Sequence, residues 1–551
     1  MKVEFKSDIA VVWVIMGIFM ILASATIDYK IPEISTDILT TLVAAQTTIF
    51  AIVFSVVVVA VQLSTSRYSP RVVGLFKSDK EYKTTIGIFG VSILFSLSTL
   101  YVSEIVGKTT LSFLVFGSGW FAGFAFIALY HFVDKILEQT TPEGILDRIE
   151  ETLEPNDIVK KAEEAADSTK NDPYLVPVSI INSSITDQDT PAVCRGLRII
   201  GSSTENLIKE ENITELDNDG QVKNSLEELC ANRLPNTIKK AADTGLQQES
   251  SSGLSSLEKV GKAAAKENLE TTTLYSLQGF GKVISTLEFD KASEEVRGDA
   301  IEKSGNVIAE AVENDCFKAA GSGIRVLAIE ASNSIETRDS TQNNLFHYSI
   351  LTMKIIPETF DDLLSKKEDG ISEQYIDWTH GLDHSTTDNG QKMSTEIRSL
   401  WYCYTSLSQI TSAHIRYEEK SDSRQVNWGF VAEGWAKGFR FLTNSDLDLL
   451  LQLWLGTILY LDYLRFESVN HVMKNGNIMI RIDPSDELLS STYDSILSGE
   501  IDPQYHIDNL QLGSDHVSDI SISTSPRPVT DRDCSFEEYI ENKIERDCAE
   551  I

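Results

Sequence analysis

The chain has 551 residues, enough for a membrane domain and a sizeable soluble domain with its own core. Its formal charge is −34, and residues 1–150 carry eleven Lys and Arg against thirteen Asp and Glu, so −32 of that charge falls on residues 151–551. A surface of this sign repels phosphate backbones, which are bound by Lys and Arg that displace counterions, and nucleic acid is set aside as a partner.

Asp and Glu together with abundant Ser, Thr and Asn suit a surface that stays hydrated in concentrated salt, so a halophilic source is expected; an ordinary acidic surface is the alternative. Cys194, Cys230, Cys316, Cys403, Cys534 and Cys548 are scattered with no CxxC pair, which suits reduced structural thiols rather than a disulfide framework or a zinc site.

Four apolar runs, at about 9–27, 39–63, 85–106 and 111–133, are long enough to cross a bilayer. The first follows "MKVEFKSD" and ends near Ala23–Ala25, a pattern that also resembles a secretory signal with a cleavage site. The loop 65–84 holds Arg67, Arg71, Lys77, Lys80 and Lys83 against Asp79 and Glu81, whereas the other short connections are not basic. By the positive-inside rule this loop is cytoplasmic, and both termini of a multi-pass cell-membrane protein follow it there. Cleavage of the first run would leave that loop and everything after the last span inside.

On the second span Thr41, Thr48, Ser55 and Gln62 recur every seven residues and form one stripe along a helix face. Two readings stand. The stripe is polar glue between packed helices, or it lines a water-filled path in a homo-oligomer. Gly87 and Gly90, and Gly119 with Gly123, have the spacing of close helix contacts in the third and fourth spans. No span carries an ionisable residue near its middle, which weighs against a proton-coupled transporter but not against a channel.

The stretch from Phe54 to Val102, with Gln62, Leu63, Ser64, Ser66, Tyr68, Ser69, Pro70 and Arg71 at its centre, resembles the predicted prokaryotic membrane proteins of the domain of unknown function 2254 family over about residues 40–135. The resemblance implies several spans and a cytoplasmic C-terminal domain, and no established activity. Pro70 lacks an amide hydrogen and restricts Ser69, so the second span should stop or kink there. That leaves Arg67 and Arg71 at the headgroup level, as helix-end anchors or as lipid-phosphate contacts.

Residues 1–140 are thus read as a four-span domain, 141–484 as a large α-helical cytoplasmic domain, and 485–551 as an acidic, partly mobile tail. The fold class is an all-α membrane protein with a solenoid-like or bundled soluble domain. Between Pro191 and Ser332 recurring blocks place Gly201, Gly261, Gly281 and Gly305 after apolar residues, as in a stack of antiparallel helices. "LDLLLQLWLGTILYLDYL" resembles a fifth span, but Asp446, Asp448, Gln452, Asp462 and Arg465 favour a buried core helix. "NIMIRIDP" is read as a strand.

Glu215, Asp217, Asp219 and Gly220 approach a calcium loop, with Leu226 where a bidentate Glu is needed. Asp377, His380, Asp383 and His384 lie close together, but Gly381 suggests a turn rather than a metal-binding helix. No dinucleotide fingerprint, P-loop or nucleophile elbow occurs. The expectation is a non-enzymatic membrane protein without cofactor or metal, whose partners are the bilayer, further copies of itself and a cytoplasmic protein. An oligomeric channel lined by the second span and gated by the cytoplasmic domain is the alternative.

Overall fold

The computed structural model describes residues 17, 34–67, 80–139, 141–165, 172–210, 220–287, 291–336, 347–366, 395–420, 428–445, 447–468, 484–508 and 535–550. The fold is about 89% helical, with no strand among the described residues. It divides into two compact units, residues 1–152 with 175–196, and residues 153–174 with 197–551. The expected strand at "NIMIRIDP" falls almost wholly outside the described residues.

In the first unit, α1 (Ile34–Arg67), α2 (Lys80–Val102) and α3 (Lys108–Gln139) pack on one another. They contain apolar stretches of 24, 19 and 25 residues, Thr36–Val59, Thr84–Val102 and Thr110–Asp134, each about the length that a bilayer core demands. The first expected span lies outside the described residues except Gly17, which is helical; a Cβ there would stand 3.4 Å from the Trp120 indole. The span expected to run to residue 106 ends at Val102. Ser103 donates to the Leu100 carbonyl, and a turn through Gly107 follows.

The core of this bundle is aromatic. Phe89 is fully buried with Ala125 and Leu129, and Phe50 stacks on Phe89 at 5.3 Å. Three of the four glycines expected at close contacts make none among the described residues: a Cβ at Gly87, Gly90 or Gly119 would meet nothing there within 4 Å, and close approach falls instead at Gly117, 3.3 Å from the Phe95 ring.

The second unit is built from helices, several of them joined by tight turns. From residue 234 onward these are α4 (Leu234–Asp243), α5 (Gln247–Lys266), α6 (Glu270–Thr286), α7 (Lys291–Glu313), α8 (Phe317–Glu336), α9 (His347–Lys366), α10 (Thr395–Lys420), α11 (Trp428–Leu442) and α12 (Asp448–Ser468). Each of α5 to α9 packs on the helix two places further along, α5 on α7, α6 on α8, α7 on α9, α8 on α10 and α9 on α11, so the helices alternate between two layers. Three-residue turns after α4, α5 and α7 reverse the chain, and all three use one device. Gly245, Asn268 and Asp315 take positive φ, and the next amide reaches back to the carbonyl five residues earlier, Leu246 to Ala241, Leu269 to Ala264 and Cys316 to Ala311, at 2.8–2.9 Å. This satisfies carbonyls that the helix end would orphan.

The layers are held by a second repeated device. Ser256, Ser276 and Ser399 donate to the carbonyls of Leu197, Leu257 and Phe317 on neighbouring helices. Four residues after each acceptor stands a glycine, Gly201, Gly261 or Gly321, and a Cβ there would come within 2.7–2.8 Å of that same serine. Glycine lets the helices approach, and the hydroxyl then reaches the carbonyl one turn below. Gly281 and Gly305 also lie against neighbours, Val326 at 2.2 Å and Ile355 at 2.9 Å from an added Cβ, so the four glycines singled out in the sequence all stand at close contacts.

Before α4 the chain forms a π-helical turn, Glu228–Arg233, in which the Leu234 amide reaches the Leu229 carbonyl. Pro235 has no amide hydrogen and its ring would strike a carbonyl in a regular α-turn, so the wider turn relieves it. The Cys230 carbonyl faces Gly279, whose added Cβ would lie only 2.2 Å away.

The helix α12, taken in the sequence for a core helix rather than a span, is buried from Leu450 through Leu461 apart from Gln452, which exchanges hydrogen bonds with Ser491 and Ser495. Trp454 packs against Trp435, Tyr404 and Phe360 at ring separations of 4.8–5.6 Å. The stretch read as an acidic tail contains helices at Asp486–Leu497, Pro503–Asp508 and Phe536–Glu550, with Tyr493, Ile507, Phe536 and Ile540 buried.

Candidate functional site

The second span, α1, has two polar faces. Thr41, Thr48, Ser55 and Gln62 are exposed in the single chain. Of these, Thr48 donates to the Ala44 carbonyl at 2.7 Å, so its hydroxyl is satisfied without a partner helix. Gln62 lies beyond the Val59 end of the apolar stretch and so stands near the membrane boundary rather than at depth. Large apolar side chains share this surface, among them Ile52, Val56 and Val59.

Gln46 points the other way. Five positions beyond Thr41 turn a helix by about 140°, which places Gln46 against α2. There it is fully buried, and its Nε2 donates to Ser92 Oγ at 3.0 Å. Ser96 and Thr99 follow Ser92 on the same face of α2, both buried, and Ser118 of α3 donates to Thr99 Oγ1 at 3.2 Å and to the Leu114 carbonyl at 2.9 Å. A seam of neutral polar groups therefore runs through the three-helix contact, with no charged residue on α2 between Thr84 and Val102. Reading the sequence picked out the outward stripe and missed this seam. Its signal was present in "VSILFSLSTL", where Ser92, Ser96 and Thr99 share a helical face.

Arg67 is the last residue of α1, and Arg71 lies outside the described residues. Also outside them are the calcium-like loop, described only from Gly220, and the Asp377, His380, Asp383 and His384 cluster; among the described residues no group of metal-ligating side chains comes together.

The second unit buries several titratable groups. Burial pushes the Glu330 carboxyl up to about 7, although the Arg297 guanidinium opposes the shift. Arg297 is itself buried, donates to the Leu287 carbonyl and stands 6.0 Å from the centre of the Tyr348 ring. Burial holds His414 down at about 3, so it is neutral beside Ser349 Oγ at 3.2 Å. The thiols of Cys230 and Cys316 are raised to about 12 and about 11 by burial, and Cys403 is raised further, which leaves all three unreactive at neutral pH.

A bundle of apolar helices with an internal polar seam is membrane architecture, and the comparison with known families agrees. Residues 7–180 match the family DUF2254, predicted membrane protein. The match reaches beyond residues 40–135 on both sides and takes in the first expected span and all three described ones. No curated protein and no solved structure matches the chain. The DUF2254 match thus covers most of the first unit and leaves the α4–α12 stack beyond it.

Proposed function

We propose that this chain is a homo-oligomeric, multi-pass membrane protein whose helical stack lies in the cytoplasm and binds a protein partner or reports a cytoplasmic state, without a catalytic step or cofactor. The observation that carries this reading is the two-layer stack of α5–α11. Stacked helical hairpins keep a packed interior while each layer presents a continuous outer face, and such faces serve as extended binding surfaces. The basic loop 65–84 supports the cytoplasmic side. Further copies are supported by the outward small residues of the spans, since an added Cβ at Gly87 or Gly119 meets nothing among the described residues and small residues let helices of different chains approach.

The test is site-directed labelling and crosslinking in native membranes. With Cys194, Cys534 and Cys548 replaced by Ser, a cysteine at the exposed position Ser255 should react with an impermeant maleimide only after the cells are opened, against a background of buried, unreactive Cys230, Cys316 and Cys403. A photo-crosslinker at exposed Lys318 should then give one discrete adduct. Labelling of intact cells would overturn the orientation, and no adduct from any outer-face position would overturn the binding role.

The second reading, a channel assembled around α1, is favoured by the exposure of Thr41, Thr48, Ser55 and Gln62 on one face. Ion flux through reconstituted protein that stops on Ser55→Leu while assembly persists would select it; silence under voltage, tension and salt change would reject it.

A further inference from the structure

The polar seam is unevenly satisfied. Its α3 end is closed, because Ser118 donates to Thr99 and Leu114, and Thr99 donates to the Phe95 carbonyl at 2.9 Å. Its α1 end is not. Gln46 Oε1 and Ser96 Oγ are both buried, and neither has a hydrogen-bond partner among the described residues. Turning the Gln46 amide over would exchange which of its atoms lies idle and would not remove the unpaired one. An unpaired amide oxygen in a bilayer interior costs far more than one near the surface, where bulk water can reach it.

Gln46 is tied to Ser92, and Ser96 follows Ser92 by one turn, a rise of about 6 Å. A molecule lying between them must donate to the amide oxygen and engage a hydroxyl that both gives and accepts. The fully buried side chains of α3 there are small, while Phe121 of the same stretch packs on Phe95 at 5.1 Å. With Thr99 beside Ser118 and Phe89 beside Phe126, the antiparallel register brings Ala122 and Ala125, both buried, level with the Ser92–Ser96 stretch. A bare cation fits poorly, because no carboxylate on α2 between Thr84 and Val102 balances its charge and the oxygens on offer are few and neutral.

We propose that the α1–α2 end of the seam is a binding site for an ordered internal water, held by Gln46 Oε1 and Ser96 Oγ beside Ser92 within the membrane-spanning bundle. A polar niche with two or more hydrogen-bonding groups is where buried water resides, and it completes partners that the side chains cannot reach themselves. The inference is independent of what the helical stack binds.

Radiolytic hydroxyl-radical labelling of the full-length protein in lipid nanodiscs, in heavy-oxygen water, tests it. Phe89 is fully buried beside the seam, so it gains oxygen only from water lodged inside the bundle, and fully buried Phe360 in the stack serves as the dry reference. Phe89 should be labelled at least several-fold above Phe360, and the excess should fall at least threefold in Gln46→Met. Ser96→Ala, which removes only one oxygen, should produce the same direction of change if the first variant fails to assemble. Labelling of Phe89 no higher than Phe360 would overturn the proposal. So would a thermal midpoint that rises with sodium or potassium over choline in the wild type but not in Gln46→Met, since that would assign the site to a cation.

Discussion

In residues 197–551 Gly201, Gly261 and Gly321 mark where neighbouring helices come close, and serines opposite them tie the helices together; in the spans Gly87, Gly90 and Gly119 meet nothing among the described residues and aromatic rings fill the contacts. The difference is what lipid around the spans and water around the second unit would produce. A helix in water gains by burying every apolar face, so close backbone approach is favourable wherever it seals the core. A helix in lipid loses nothing by leaving an apolar or small residue outside, and what must be sequestered there is an unsatisfied polar group. Hence Gly261 is wedged against Ser276, whereas Gly87 is open and Gln46 is turned inward.

The largest expected effect is at Gly279. An added Cβ meets the Cys230 carbonyl, a backbone atom held by the π-turn, so Gly279→Ala should destabilise the protein by about 3 kcal/mol or more, at the upper end of overpacking costs. Gly87→Ala meets no atom of the described residues of its own chain, so its loss should be smaller, confined to the contact between copies and partly offset by helix propensity worth up to about 1 kcal/mol. Thermal unfolding in detergent compares the two, and equal losses would erase the contrast between the units.

Next is the pH dependence of the second unit. Glu330 has a folded pKa raised above its unfolded value, so its protonated form favours the fold below about pH 4.5 and that advantage is lost as pH rises through about 7. The loss is about 3 kcal/mol, and Glu330→Gln should recover most of it at pH 8 while changing little at pH 4.5. His414 acts in the opposite sense. Its folded pKa is depressed, so stability is full above about pH 6.5 and falls as pH drops toward 3. Denaturant titrations at pH 4.5, 6 and 8 resolve both, and an unchanged pH slope in Glu330→Gln would show that another group sets it.

Smaller still are the clasp serines. Ser276→Ala and Ser399→Ala should each cost about 1 kcal/mol, the usual net value of one such hydrogen bond, because the acceptor carbonyls belong to helices that already use them. Thr48→Val should be nearly neutral, its hydroxyl being bonded only within its own helix. A loss at Thr48 as large as at Ser276 would mean that its hydroxyl also bonds across to the neighbouring copy.

Gly201, Gly261, Gly281 and Gly305 were legible in the sequence because each sits at a helical packing position in a recurring block. Their partners were not, since Ser256, Ser276, Val326 and Ile355 are placed by tertiary folding and carry no local mark. Gln46 was overshadowed by the seven-residue recurrence of Thr41, Thr48, Ser55 and Gln62, although periodicity alone does not say which face is inside. The helices after residue 485 did leave a local signal. Ser485 accepts from the Leu488 amide and Ser535 from the Glu538 amide, and Ser535 with Glu538 has the spacing of a capping box, which the acidic composition masked.

The claim at the centre of the account is that the outward small and polar residues of the spans face another copy, while the inward ones serve the single chain. Oxidative crosslinking in native membranes measures this directly, with cysteine placed at Ser55 on the exposed face of α1 or at Ser92 in the buried seam. The account predicts covalent dimers from Ser55→Cys and none from Ser92→Cys. No dimer from Ser55→Cys, with the protein eluting as a monomer in detergent, would contradict it.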